Sequence, residues 1–264
     1  MGHDNNFYYK VHSSMKPIKI SLITAVYNNR RFIETALKSI TQQSYPNIEH
    51  IIIDGGSNDG TLEFLEKNLG HQSKLISEKD KGIYDALNKG INLATGDVIG
   101  FLHSDDILAS SETISLIAKE FTQNEIEATY GDLVYVAQND TNKILRYWKS
   151  GPYNIQKLKY GWMPPHPTFY MKKNCYEEMK GFQLKYKIAA DYDACLRYLW
   201  NHQIKCSYIP QILVKMRTGG TSNRSLKNIL IKSKEDYQII CENKVGGIST
   251  LMMKNMSKVK QFFI

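Results

Sequence analysis

The sequence predicts an α/β fold in which helices cover both faces of a mostly parallel central sheet. Two observations favour this class. Short apolar runs alternate with segments of helical periodicity through the first half of the chain. The apolar runs are nearly continuous, as is typical of parallel strands buried on both faces. The chain has 264 residues, 42% hydrophobic and 23% charged, which is an ordinary globular composition with enough length for a sizeable core.

The elements of the first half are predicted in strict alternation. Five apolar runs read as strands: 18–26, 48–54, 74–78, 97–102 and 128–136. Four segments with helical spacing lie between them: 30–43, 60–69, 82–94 and 111–124. Each strand is thus followed by a helix, the order that produces parallel neighbours in one sheet.

The second half of the chain has a different character. Residues 160–170 are aromatic and rich in proline, so we expect an ordered segment without regular structure. Helices are predicted over 173–179 and 188–202, and a strand over 206–217 with Pro210 at an edge or bulge. We divide the chain into an N-terminal arm (1–16), one α/β domain (17–222) and a basic helical tail (223–264).

The composition excludes several classes of protein. The four cysteines lie far apart, which argues against a zinc site and a disulfide scaffold and favours reduced thiols. No apolar run approaches the roughly 18 residues needed to span a bilayer. The polar first residues show no secretory signal, so we expect a cytoplasmic protein.

The tail carries most of the net charge of +8. From Lys215 onward there are ten Lys or Arg and three Asp or Glu, a surplus of seven. An apolar stripe is predicted on the last helix, with Lys254 and Lys258 turned away from it; its members are Met252, Met256, Val259 and Phe263. This pattern predicts a helix at an anionic membrane surface. The alternative is a terminal helix that packs on the domain or forms a homo-oligomer.

Polar groups follow four predicted strands at the point where each ends. These groups are Tyr27-Asn28-Asn29, Asp54 to Gly60, Glu78 with Asp80-Lys81-Gly82, and Ser104-Asp105-Asp106. In a parallel sheet the carboxyl ends of the strands meet at one edge, where ligands bind. The sequence therefore predicts a polar, acidic cleft at this edge.

The adjacent carboxylates of Asp105 and Asp106 have two interpretations. Oxygen ligands at a strand end suit Mg²⁺ or Mn²⁺ bridging substrate phosphates. Alternatively, the two residues cap the helix that follows. The glycine-rich segment 53–61 allows close approach of a ligand to the backbone, but it is neither a dinucleotide-binding nor a P-loop motif.

Four stretches of this chain, taken in order, resemble family 2 glycosyltransferases with the GT-A fold, of the type found in bacterial surface-polysaccharide assembly. They are SLITAVYNNRRFIETALKSITQQSYPNIEHIIIDGGSNDGT, KGIYDALNKGINLATGDVIGFLHSDD, HPTFY and AADYD. The resemblance spans roughly residues 17–222. One departure is His103, which stands where many relatives have an acidic residue.

The resemblance implies an inverting transfer from a nucleotide-sugar donor, with UDP expected and GDP as the alternative, and a Mn²⁺ or Mg²⁺ cofactor. It places Asp106 on the metal. The residues implied to bind the nucleotide-sugar are Thr24, Val26, Tyr27, Asn28, Asp54, Asp80, Lys81, Asn88, Ser104, Asp105 and Arg217. The expected acceptor is a glycan or a polyprenyl-diphosphate-linked oligosaccharide.

An inverting transfer needs a base for the acceptor hydroxyl, and the resemblance implies Asp191, with Asp193 as the alternative. Either aspartate could instead be an ordinary first-turn carboxylate of a helix. Trp162 and His166 are candidates for the acceptor or a phosphate, or else structural residues. The segment 217–225 resembles a flexible loop over the donor, in which Arg224 is a weaker candidate than Arg217.

Two other functions are less consistent with the sequence. A nucleotidyltransferase would have a glycine-rich basic loop after the first strand, and this chain has none there. A non-catalytic sugar- or nucleotide-binding module with a membrane-associating tail would not depend on Asp106 or Asp191. Nucleic acid is not expected as a partner, because aromatic and basic residues do not interleave on the strands.

Overall fold

The computed structural model describes residues 17–70, 73–219 and 226–260. Within them, nine strands form one sheet. The strands are β1 (Ile20–Val26), β2 (Ile48–Asp54), β3 (Ser73–Ser77), β4 (Val98–Phe101), β5 (Ile107–Leu108), β6 (Ala128–Ala137), β7 (Asp140–Trp148), β8 (Tyr170–Lys172) and β9 (Cys206–Arg217).

The helices alternate with the strands in the first half and cluster in the second. They are α1 (Arg30–Thr41), α2 (Thr61–Asn68), α3 (Ile83–Leu93), α4 (Thr113–Gln123), α5 (Lys173–Met179), α6 (Ala190–Leu196), α7 (Leu226–Glu242) and α8 (Ile248–Lys260). The predicted helix over 188–202 is shorter than expected, because a wider helical turn over Arg197–Asn201 follows α6. Short 3₁₀ turns lie at Ile155–Tyr160 and His166–Thr168.

The sheet order is β3-β2-β1-β4-β8-β6-β9-β5, with β7 paired to β6. The first four strands of this order are parallel. Their register puts Asp54 opposite both Val26 and Ser77, and Phe101 opposite Ile23. The strand ends predicted to form a cleft therefore share one edge, and the predicted α/β class is confirmed.

The second half of the sheet is mixed. The three-residue strand β8 pairs antiparallel with both β4 and β6. Pro210 falls where the pairing of β6 and β9 shifts register between Ile209 and Ile212, which is the predicted bulge. Strand β7 was not predicted, because its side chains are mostly exposed and polar and so lack the apolar run of a core strand.

The core lies on both faces of the sheet. One face packs β1, β2, β4 and β6 against α3, α5 and α6. The other packs the same sheet against α4, with a smaller group formed by α1 and α2. In the part of the chain that the structure describes, no helix combines the length and hydrophobicity that crossing a bilayer requires.

The tail helices pack on the domain. Lys254, predicted to lie on a basic outer flank, is instead buried, and its Nζ lies 2.5 Å from Asp236 Oδ1 on α7. Met252 and Met256 are exposed. The side chain of Val259, and Phe263 altogether, lie outside the described residues. The buried ion pair, not the apolar stripe, thus decides which side of α8 faces the protein.

A buried carboxylate joins strands at the sheet edge opposite the cleft. Glu49 accepts hydrogen bonds from Lys74 (2.7 Å), Ser21 (2.6 Å) and both the amide and the hydroxyl of Thr95 (2.8 Å each). Burial alone would raise the pKa of Glu49, but these donors outweigh it and lower the pKa from 4.5 to about 2. The folded protein therefore stabilises the ionised form of Glu49 more than the unfolded chain does.

Glu49→Gln should lower the free energy of unfolding at pH 7 by about 2–3 kcal/mol. A lowered pKa gives stability above the unfolded value, so the difference from wild type should shrink as pH falls from about 4.5 to about 2. Urea unfolding of both proteins at several pH values measures this difference in the free energy of unfolding. Glu34→Gln, which breaks an exposed pair with Lys38, is the control and should leave the free energy of unfolding nearly unchanged. Equal losses in both variants would contradict the prediction.

Candidate active site

Asp54 lies at the floor of the cleft and is fully buried. Its Oδ2 accepts hydrogen bonds from Ser77 Oγ (2.6 Å) and from the amides of Gly56 (3.1 Å) and Ser57 (3.0 Å). Its Oδ1 has no hydrogen-bond partner in the described ranges. Three donors thus fix the carboxylate in place, while one buried acceptor is left for a ligand N–H.

Gly55 is the narrow point above this carboxylate. A Cβ added there would lie 2.7 Å from Asp80 Oδ2 and 3.4 Å from Tyr27 Cδ2, so a side chain at this position would displace the Asp80 carboxylate. The ring of Tyr27 is largely exposed. Asp80 is held in turn by the Gly82 amide (2.9 Å). These residues form a slot with one aromatic wall and one acidic wall.

Asn28 joins the loops that follow β1 and β2. Its amide donates to Ser57 Oγ (2.8 Å), and its Oδ1 accepts from the Asn58 amide (2.9 Å). Its φ of 48° is in the left-handed region that asparagine tolerates better than most residues. The two loops therefore form one rim, which places Asn28 beside the slot.

The two adjacent aspartates lie between β4 and β5, well before α4, whose first residue is Thr113. The capping interpretation is therefore wrong. Asp106 is buried, and its Oδ1 accepts from the Arg217 amide (3.3 Å), while its Oδ2 has no partner among the described residues. Burial, and then the charge of Asp105, raise the pKa of Asp106 well above its ordinary value, with Arg217 opposing.

Arg217 connects the loop that contains Asp105 and Asp106 to the end of β9. Its guanidinium donates to the Asp105 carbonyl oxygen (2.6 Å) and to the Gln138 carbonyl oxygen (3.2 Å), and lies 4.9 Å from the centroid of the Phe32 ring. Ser104 accepts from Asn29 Nδ2 (2.8 Å), which links the same loop to the start of α1. Arg217 thus reaches the loop through backbone contacts and is itself nearly buried.

Two histidines line the cleft next to these aspartates. The rings of His103 and His166 have centroids 5.8 Å apart, and His166 stacks on Phe101 at 5.2 Å. Within the part of the chain that the structure describes, His103 Nδ1 and His166 Nε2 have no hydrogen-bond partner. Burial lowers the pKa of His103, and it lowers that of His166 to about 4, in each case against the charge of Asp191. Both rings are therefore neutral at pH 7.

Asp191 lies in the first turn of α6. Its Oδ1 accepts from the Tyr192 amide (2.9 Å) and lies 3.3 Å from the Tyr84 hydroxyl. That hydroxyl is closer to the Ile188 carbonyl oxygen (2.7 Å), which takes its single proton. The Asp191 side chain is partly exposed, so a carboxylate oxygen remains accessible from the cleft.

Six buried polar side-chain atoms in the described ranges lack a hydrogen-bond partner, and four of them belong to this cleft. The four are Asp54 Oδ1, His103 Nδ1, Asp106 Oδ2 and His166 Nε2. Because buried polar groups are nearly always satisfied, such a concentration indicates a site that a polar ligand completes.

Three predicted site residues lie elsewhere. Thr24 is buried inside β1, where its hydroxyl is 3.0 Å from His50 Nε2. The Asn88 amide group exchanges two 2.9 Å hydrogen bonds with the backbone of Phe182, so it is not available to a nucleotide. Trp162 packs edge-on against Tyr130 and donates to the Ser150 carbonyl oxygen (3.3 Å), which makes it a core residue.

The remaining candidates are placed as follows. Val26 is buried and contributes its carbonyl oxygen to the Gly55 amide, and Lys81 is exposed at the rim. Asp193 is buried in an ion pair with Arg197 (2.8 Å), so it is not the accessible carboxylate of α6. Gly220 and Arg224 lie outside the described residues.

The prediction missed Ser77 and Tyr84. Ser77 orients Asp54, and Tyr84 holds the approach to α6. Ser77 could have been found, since it is the last residue but one of a predicted strand, 74–78. No local pattern marks Tyr84, because its partner Ile188 is more than a hundred residues away in the sequence.

The sequence pattern of the family described as "Glycosyl transferase family 2" matches residues 21–183, which is more than half of the chain. The chain belongs to glycosyl transferase family 2. A curated relative, a "PGL/p-HBAD biosynthesis glycosyltransferase" of Mycobacterium bovis, is 26% identical over 217 residues, covering 80% of this chain and 82% of the relative. This family member is therefore a glycosyltransferase, as predicted.

Solved structures show the fold of this family 2 member. S. aureus TarS 1–349 in complex with UDP-GlcNAc has a TM-score of 0.67 and 19% identity, covering 86% of this chain and 66% of TarS 1–349. The mannosyltransferase PcManGT of Pyrobaculum calidifontis, in complex with GDP-Man and Mn²⁺, has a TM-score of 0.61 and 16% identity, covering 86% and 64%. The predicted GT-A fold is confirmed, and the chain spans about two thirds of these proteins.

Proposed function

We propose that this glycosyltransferase moves a sugar from a UDP-sugar to an acceptor hydroxyl with inversion, in a single displacement. The observation that supports it is the set of unpartnered buried acceptors at one sheet edge. Asp54 Oδ1 lies behind the slot of Tyr27, Gly55 and Asp80, at the end of β2. Asp106 Oδ2 lies in the loop after β4, which is two strands away from β2 in the sheet. Asp54 would bind the base of a nucleotide, and Asp106 would lie at the diphosphate of the same nucleotide.

The acceptor character of Asp54 selects among bases. A carboxylate can only accept, so it matches a ring N–H at the base edge. Uracil N3–H and guanine N1–H offer such a donor, whereas the ring nitrogens at the corresponding edges of cytosine and adenine are acceptors. The solved neighbours bind UDP-GlcNAc and GDP-Man. We place uracil first, with guanine as the alternative.

The residues around Asp106 fit a divalent cation. Its Oδ2 is a buried, unpartnered carboxylate oxygen, the ligand type that Mg²⁺ and Mn²⁺ prefer. No cluster of three ligating side chains occurs in the described ranges, so the diphosphate and water would complete the coordination. When bound, the cation would stabilise charge on the departing diphosphate. Ser104 and Asp105 would form the rim around the ribose and phosphates.

Asp191 is the proposed base. It would accept the proton of the acceptor hydroxyl as that oxygen bonds to the anomeric carbon, while the bond from that carbon to the diphosphate oxygen breaks. Attack opposite the leaving group inverts the anomeric centre. The neutral rings of His103 and His166 would offer hydrogen bonds to sugar hydroxyls or to an acceptor phosphate, between Asp106 and Asp191.

The acceptor and the location stay predictions. We propose a glycan or lipid-linked oligosaccharide as acceptor, in surface-polysaccharide assembly, at the inner face of the cytoplasmic membrane. The exposed methionines of α8 support contact with a lipid surface. The division of the chain at residue 223 and homo-oligomer formation likewise stay predictions.

UDP with Mn²⁺ should raise the melting temperature by about 5–10 °C at a concentration 100 times its dissociation constant. EDTA should reduce the shift, and CDP or ADP should give much less. Differential scanning fluorimetry with UDP, GDP, CDP and ADP measures these shifts in melting temperature. Asp54→Asn, which replaces an acceptor with an amide, should lose the preference for UDP while melting normally without ligand. A larger shift with ADP than with UDP would contradict the assignment of Asp54.

A further inference from the structure

The three residues before α6 are held by a carboxylate from the C-terminal tail. The amides of Lys187, Ile188 and Ala189 donate to Glu235 of α7, at 2.8, 3.0 and 2.9 Å. Glu235 is itself buried. Three hydrogen bonds to one ionised acceptor are stronger than their neutral counterparts. They fix the backbone of the segment that leads directly into the first turn of α6.

The same segment is fixed from the opposite side by α3. The Tyr84 hydroxyl donates to the Ile188 carbonyl oxygen at 2.7 Å and lies 3.3 Å from Asp191 Oδ1. Ile188 is thus bound through its amide by Glu235 and through its carbonyl by Tyr84. Asp191 follows three residues later, so the position of its carboxylate depends on how this peptide is oriented.

Helix α7 is in turn anchored to α6. Its Asp236 forms the buried ion pair with Lys254 of α8, whose ammonium lies 3.1 Å from the centroid of the Tyr192 ring. Asn243, which follows α7, donates to Asp193 at 3.4 Å. The tail therefore contacts α6 itself as well as the segment before it, which gives Glu235 a rigid support.

We propose that Glu235 is a positioning residue for Asp191, so that the tail helices contribute to transfer and not only to packing. This inference rests on the proposed function, in which Asp191 is the base. A base must lie within hydrogen-bond reach of the attacking hydroxyl, and a displacement of about 1 Å can cost a factor of 100 in rate. In the described part of the chain, Glu235 forms no hydrogen bond with Asp54 or Asp106, the residues proposed to bind the sugar donor.

Glu235→Gln is the sharpest variant. Its side chain keeps the size of glutamate, but only one of its two polar ends can accept. The oxygen can serve the amides of Ile188 and Ala189, and the NH₂ group then faces the Lys187 amide, donor against donor. The segment should shift locally without loss of the buried packing of α7.

Glu242→Gln is the matched control. Glu242 ends the same helix and accepts from Lys185 Nζ (2.5 Å) and Tyr186 Oη (2.8 Å), immediately before the segment bound by Glu235. It makes no hydrogen bond to residues 187–189 in the described structure. Both variants replace a glutamate of α7 that binds the chain before α6. Glu242 is exposed and Glu235 is buried, and in the described structure only Glu235 accepts from the amides of residues 187–189.

Two measurements on the full chain test the proposal. The first is UDP release from UDP-GlcNAc, UDP-glucose and UDP-galactose with Mn²⁺, where water takes the place of the acceptor. For Glu235→Gln we expect a turnover rate about tenfold lower than that of Glu242→Gln, with KM and UDP affinity changed less than twofold. The second is hydrogen–deuterium exchange, in which residues 187–193 should lose protection in Glu235→Gln only.

The outcomes separate the inference from the proposed function. Active wild type with equal turnover in the two variants, or unchanged exchange at 187–193, would overturn the role of Glu235 alone. A fall in UDP affinity parallel to the fall in turnover would show general destabilisation and would also overturn it. Wild type that neither binds UDP nor releases it from any of the three sugars would overturn the proposed function, and this inference with it.

Discussion

Asp191→Asn should reduce the rate of sugar transfer by a factor of 10²–10⁴, the range expected for loss of a general base. Donor binding should be unchanged, because the groups proposed to hold the nucleotide lie at the ends of β1 to β4 and not on α6. The Tyr192 amide can still donate to the asparagine carbonyl oxygen, so the local fold should persist. Single-turnover transfer from a UDP-sugar, together with UDP affinity, measures both effects.

Asp193→Asn is the informative comparison for that variant. Asp193 is bonded to Arg197 and to Asn243, so its loss should lower stability while leaving turnover of the folded protein near that of wild type. The reverse pattern, with Asp191→Asn near-normal in turnover and Asp193→Asn inactive, would exclude Asp191 as the base.

Asp106→Asn should lower Mn²⁺-dependent donor affinity and transfer by a factor of 100 or more. The amide keeps an oxygen for the Arg217 amide but replaces the unpartnered Oδ2, so it removes the charge proposed to hold the cation. Because a buried carboxylate without a partner is costly, the ligand-free variant should melt at the same temperature as wild type or higher. Calorimetric titration of UDP with Mn²⁺ and with EDTA separates the two contributions.

Lys81→Ala at the exposed rim of the cleft is the matched control for Asp106, and we expect a change of less than tenfold that does not depend on the metal. Donor binding in Asp106→Asn that still responds fully to Mn²⁺ would contradict the metal assignment. Full loss of binding with both Mn²⁺ and EDTA would point to a structural role for Asp106 instead.

The donor side of the site could be predicted because strand ends are local features. Alternation placed Asp54 and Asp106 at the ends of parallel strands, and parallel pairing then brings those ends to one edge. The structure places Thr24, by contrast, two residues inside β1, where it is covered by the sheet. A difference of two residues along a strand separates the edge from the core.

The other errors involve partners distant in the sequence. The polar face of α3 suggested a ligand for Asn88, but Phe182 satisfies its amide group. The periodicity of α8 indicated an apolar stripe and a basic flank. It could not show that Lys254 of that flank is buried in an ion pair with Asp236. Asp191 and Asp193 look equivalent in the sequence, and only the buried ion pair of Asp193 separates them.

Strand β8 sets the spacing between the two halves of the sheet. It is three residues long, and among the described strands it joins the half-sheet β3-β2-β1-β4 to the half-sheet containing β6 and β9. The ring of Tyr170 of β8 covers Gly100 of β4, where an added methyl group would lie 2.0 Å from the ring. Since hydrogen-bonded strands lie about 4.8 Å apart, two residue pairs on each side of β8 fix how far the strands that end at the proposed donor site lie from β6 and β9.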